Sequence, residues 1–147
     1  MIDLGLDDLR PFVAARDFAL SRAFYRALGW DQEYLHDSLA LLHNRGHRLS
    51  LQACDDKAWA GNSMLHIGGR DASACHAAIA ARLADGRFPG ARIAAPKREP
   101  YGALVTCAWD PSGVQLHLAA QWDPRHGSQR SDASGAQPTR RSSTKSQ

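Results

Sequence analysis

From Leu9 to Ala15 the chain is apolar enough for a strand, and Asp17 follows where a helix needs an N-cap, its carboxylate placed to accept from an orphan amide. Leu20, Ala23, Phe24, Ala27 and Leu28 then recur at i, i+3, i+4, i+7 and i+8, a single helical stripe, and Gly29 supplies the left-handed stop. Two short strands follow, Trp30 to His36 and Ser38 to Asn44. The Asn44-Arg45-Gly46 turn leads into His47 to Ala53, whose alternation places Leu49 and Leu51 on one face and Ser50 and Gln52 on the other. This half reads βαβββ.

The second half repeats the first. Phe12-Val13-Ala14-Ala15-Arg16-Asp17 and His66-Ile67-Gly68-Gly69-Arg70-Asp71 are strand ends of one shape, each delivering an Asp to cap a helix, and a duplicated module is the simple explanation. After Asp71 the stripe is Cys75, Ala78, Ile79 and Leu83, closed by Asp85-Gly86. Strands are expected over Ala91 to Lys97, Ala103 to Trp109 and Val114 to Ala119, separated by a Pro100-Tyr101-Gly102 turn and by Asp110-Pro111-Ser112-Gly113, with Pro second and Gly fourth. In the last strand Val114, Leu116 and Leu118 should meet the helix, and Gln115, His117 and Ala119 a hollow. The fold class is therefore α+β, two βαβββ modules at about 9–54 and 64–120, each a curved mixed sheet with a helix on its outer face.

Composition narrows the setting. The 147 residues are 44% hydrophobic and 22% charged, as in one ordinary globular domain, and the longest apolar runs fall far short of the roughly 20 residues that span a bilayer. No basic segment followed by an apolar one opens the chain, so a cytoplasmic protein is expected, with no membrane partner. Cys54, Cys75 and Cys107 are odd in number and widely spaced, which fits reduced thiols. The net charge of +3 comes from the C-terminus, where Arg125, Arg130, Arg140, Arg141 and Lys145 face Asp132 alone; residues 1–124 hold 13 basic and 14 acidic side chains. Residues 125–147 lack large apolar side chains and read as a disordered basic tail after a domain spanning 1–124. With the basicity confined there, nucleic acid is disfavoured as a partner.

The spacing Asp17-x3-Ser21-x2-Phe24-Tyr25-x2-Leu28-Gly29-Trp30, followed by Asp110-Pro111-Ser112-Gly113-Val114-Gln115-Leu116 inside a duplicated βαβββ pattern, resembles the vicinal oxygen chelate superfamily. That superfamily includes glyoxalase I, extradiol dioxygenases, and fosfomycin- and bleomycin-resistance proteins, and the resemblance covers about residues 9–121. Such a fold hosts several reactions and also pure binding. In glyoxalase-like members a divalent metal is held from the first, fourth, fifth and eighth strands. The resemblance puts those positions at Arg10, Ser50, Leu65 (Met64 on a one-residue slip) and His117, with His66 one slip away. A single imidazole beside a guanidinium, or two with His66, falls short of a three- or four-ligand site, so no metal and no cofactor are expected.

The pattern resembles instead the bleomycin-resistance branch, in Pro11, Asn62-Ser63 and Pro100-Tyr101-Gly102. That resemblance implies metal-free sequestration of a small molecule in a cleft of a homodimer, often with an exchanged N-terminal strand; Pro11 is compatible with such an arm. Bleomycin-type ligands are cationic and their binders acidic, which residues 1–124 are not. The expected ligand-binding set is Arg10, Ser50, Gln52, His66 and His117 in the hollow, with Trp59, Tyr101 and Trp109 at its rim, suited to a flat or amphiphilic molecule with an acceptor or anionic group. Each has a plainer alternative: Arg10 pairing with Asp7 or Asp8, His117 bonded to a neighbour, His66 structural, Trp109 packing. Trp59 is expected in a loop beside Gly61, and His36, His43 and His47 around a hairpin.

No phosphate loop, nucleophile elbow or zinc-protease helix motif is present, and no catalytic residue is assigned. Three functions stand: the metal-free binder, a metal-dependent glyoxalase-like lyase or transferase, and an interaction module acting through the basic tail.

Overall fold

The computed structural model describes residue 2 and residues 5–120; the expected basic tail and the expected domain end at 124 lie outside the described residues. Sheet one is built from β1 (Phe12–Ala15), β2 (Asp31–Leu35), β3 (Leu39–Asn44) and β4 (His47–Ala53), in the order β1-β4-β3-β2, with β1 parallel to β4. Sheet two is built from β5 (Met64–Gly69), β6 (Arg92–Ile93), β7 (Lys97–Arg98), β8 (Leu104–Trp109) and β9 (Gln115–Ala120). Its order is β5-β9-β8-β6, with β7 also on β8 and β5 parallel to β9. The two sheets share one connectivity. The helices are α1 (Phe18–Ala27), α2 (Lys57–Asn62) and α3 (Ala72–Leu83); none is long and apolar enough to cross a membrane.

Local chemistry accounts for the boundaries. Asp17 Oδ1 accepts from Leu20 N at 2.9 Å, and Asp71 Oδ1 from Ser73 N and Ala74 N, so both duplicated aspartates cap a helix. Arg45 (φ 47°) and Gly46 (φ 83°) are both left-handed, as a two-residue hairpin between twisted strands requires.

Four expectations are corrected. The first strand starts at Phe12, not Leu9: Pro11 offers only its carbonyl, which accepts from Ser50 N at 2.9 Å, and Leu9 is 90% exposed. In α1 the expected stripe holds at Leu20, Phe24, Ala27 and Leu28, which pack in or against the core, but Ala23 is exposed, and Ser21 and Tyr25 are buried instead, where their hydroxyls meet Ser112 and Asp110 of the turn at 110–113. Residues 57–62 form α2 where a loop was expected, since Asp56 Oδ1 accepts from Trp59 N at 3.0 Å. The Ala91 to Lys97 strand is split in two at Ala94-Ala95-Pro96; Ala94 still bonds Cys107 O through its amide and receives the Thr106 hydroxyl at 2.7 Å.

One apolar core joins the modules. Val13, Leu42, Leu49 and Leu51 of sheet one pack in the same cluster as Ala108, Leu116, Leu118 and Ile79 of the second half. Phe24 meets Phe88 edge-on at 5.6 Å. The Tyr25 hydroxyl donates to Asp110 Oδ2 at 3.0 Å in this core.

Candidate functional site

Sheet two has one face in the core and one outside it. Leu65 and Ile67 of β5, Leu116 and Leu118 of β9, Ala108 of β8 and Ile93 of β6 all belong to the core. Strand alternation sends the intervening residues the other way. Paired registers arrange them in rows: Met64, Gln115, Trp109 and Arg92; then His66, His117 and Cys107; then Gly68, Ala119 and Val105.

The position of β9 is set by its preceding turn. Asp110 Oδ1 accepts from Ser112 N at 2.8 Å and Val114 N at 3.0 Å, while Asp110 N donates to Val114 O. Burial raises the Asp110 carboxyl above the ordinary carboxylate value despite hydrogen bonds that pull it down, and burial and then the Asp110 charge hold the Tyr25 phenol well above its own. The anchored turn fixes which side chains of β9 face outward.

His66 and His117 stand opposite each other, with Nδ1 atoms 3.0 Å apart and ring centroids 5.1 Å apart. One Nδ1–H must donate and the other nitrogen accept. Gln115 Nε2 donates to Cys107 Sγ at 3.3 Å, and the Arg92 guanidinium lies 3.4 Å above the Trp109 ring centroid. Ala103, Val105 and Ala119 with Cys107 form a small apolar cluster at the far end of this face, separate from the main core.

The expected site residues are thus gathered unevenly. His66, His117 and Trp109 share one face. Ser50 and Gln52 are on β4 of sheet one, Ser50 buried between Phe12 and Leu41. The Arg10 guanidinium is paired with Asp8. Trp59 sits on α2 half-buried against the core, and Tyr101 is exposed in the turn between β7 and β8. On β5 the metal-position alignment left Leu65, or Met64 on a one-residue slip; Leu65 faces the core, and Met64 and His66 face out. Gln115, Cys107 and Arg92 join the face beyond the expected set.

A glyoxalase-type divalent metal does not fit these residues. His66 and His117 offer two imidazoles, Arg10 is engaged with Asp8, and no group of three or more His, Cys, Asp or Glu is disposed to hold an ion among the described residues.

This architecture is the fold seen in bleomycin-resistance and glyoxalase-related proteins, as comparison with solved structures shows. A bleomycin resistance determinant encoded on the transposon Tn5 superposes with a TM-score of 0.66 at 22% identity, over 79% of this chain and 98% of that one. A bleomycin-binding protein from bleomycin-producing Streptomyces verticillus, complexed with copper(II)-bleomycin, gives 0.66 at 19% identity over 83% and 100%. Lactoylglutathione lyase from Agrobacterium tumefaciens gives 0.59 at 17% over 78% and 94%. No family model and no curated protein sequence matches the chain.

Proposed function

We propose that this protein is a cytoplasmic, metal-free binder of small flat or amphiphilic molecules, of the bleomycin-resistance type. The observation that carries the reading is the face of sheet two turned away from the core, where His66, His117, Gln115 and Trp109 present a mixed polar and aromatic surface without the donors of a divalent site among the described residues. The similarity in fold to proteins complexed with bleomycin supports it. Dimerisation belongs to the same reading: Leu6, Leu9 and Phe12 leave the first segment with exposed apolar side chains that suit a partner surface.

A second reading, the metal-dependent lyase or transferase, is favoured by the His66–His117 contact alone. One experiment separates them. Tag-free protein is melted with bleomycin, with a panel of planar aromatic compounds, and with Zn, Ni, Mn and Fe(II). Ligand at a hundred times its Kd adds about 2.7 kcal/mol to stability, a melting shift of roughly 10 °C for a domain of this size. A shift with organic ligands and none with metals supports the binder. A metal shift lost in His117→Ala supports the lyase.

A further inference from the structure

The strands of sheet two contain no Asp or Glu. They carry Arg92, Lys97, Arg98, His66 and His117. Arg48, Arg10 and Arg87 are each paired with a carboxylate, Glu33, Asp8 and Asp85. Arg92 forms no ion pair among the described residues; its charge rests on the Trp109 ring. That contact leaves the guanidinium N–H edges available in the plane of the stack, because a face-on cation–π contact uses none of its five donors.

The neighbours give this pair the character of a site. Trp109 is half-buried, joins no main-core cluster, and has Gln115 beside it in its row with Met64 beyond, and the two imidazoles in the next row. Arg92 is exposed and pairs in register with Trp109. A planar ring has an apolar and amide-lined surface to lie on, and a carboxylate on that ring meets a guanidinium already positioned by its stack. A cation placed there would meet Arg92, with no acidic side chain on these strands to offset it.

We propose that the ligand class of this face is a planar aromatic carboxylate, with Arg92 as the anion-reading residue and Trp109 as its platform. The inference rests on the small-molecule reading above and specifies its chemistry. The test is calorimetric titration with three probes of one shape: naphthoate, its neutral amide and its cationic aminomethyl analogue. Naphthoate is expected to bind at least about tenfold tighter than the amide. Arg92→Gln should bring the two within about twofold, and Arg92→Lys should keep part of the preference. Trp109→Ala should weaken both.

Equal affinity for naphthoate and amide, or an Arg92→Gln variant with undiminished naphthoate binding, overturns the inference. Binding of the amide or the cation without the carboxylate also overturns it, while leaving the small-molecule reading intact. If no probe binds, the inference fails, and the melting experiment with bleomycin and the wider panel decides the broader reading separately.

Discussion

Asp110 shows how one residue serves fold and face together. Its carboxylate closes the turn before β9 and receives the Tyr25 hydroxyl across the module boundary. Tyr25→Phe should cost about 1–3 kcal/mol in denaturant unfolding, because a buried carboxylate oxygen loses its partner. Asp110→Ala should cost more, since two backbone amides are orphaned as well. The pH dependence has a definite sign. A carboxyl raised in the folded state binds more protons folded than unfolded, so its contribution favours folding at low pH and is lost as pH rises through the raised value. Wild type should therefore gain stability relative to Asp110→Asn as pH falls through the window just above the ordinary carboxylate value. A gap independent of pH would contradict this. Gly90 is a second single-residue constraint: at φ 87°, an added Cβ would lie 2.9 Å from Pro111 O, so Gly90→Ala should destabilise by more than about 1 kcal/mol.

At the level of elements, capping and alternation made most of the fold legible. Asp17 and Asp71 announced both long helices, and each of Asp17→Ala and Asp71→Ala should cost about 0.5–2 kcal/mol in thermal unfolding. The alternation of β4 marks Leu49 and Leu51 as core residues, although Ser50 between them is buried as well. On β5 the two registers left open are separable by pattern: in Met64-Leu65-His66-Ile67 the apolar pair Leu65 and Ile67 marks the core face. Distance from the Asp anchors alone leaves the register open by one residue, and a slip of one residue turns every side chain to the opposite face. The Arg92–Trp109 contact had no such signal. It depends on an antiparallel register reached through the irregular segment between β6 and β8, interrupted at Pro96, and no local pattern encodes that pairing. The short helix carrying Trp59 is hard to read in the sequence for a related reason: six residues with Gly61 next to the last show too little periodicity to stand out from a loop.

For the whole molecule, the fold follows from two copies of one connectivity sharing a core, and the chemistry from how the second copy differs. Sheet one keeps Asp31 and Glu33 on its strands, whereas sheet two has no acidic residue on its strands, pairs its two imidazoles on one face and adds a stacked guanidinium. Exposed Leu6 and Leu9 predict a dimer in sedimentation, and Leu6→Ser with Leu9→Ser should shift it toward monomer without changing the far-ultraviolet dichroism; a wild-type monomer at all accessible concentrations would remove that part of the account. The most direct test of the central claim is metal content of tag-free protein measured beside ligand-dependent melting in wild type and Trp109→Ala. The account predicts no stoichiometric divalent ion and a melting rise with planar ligands that Trp109→Ala diminishes. About one ion per chain, lost when His66 and His117 are both replaced by Ala, would contradict it.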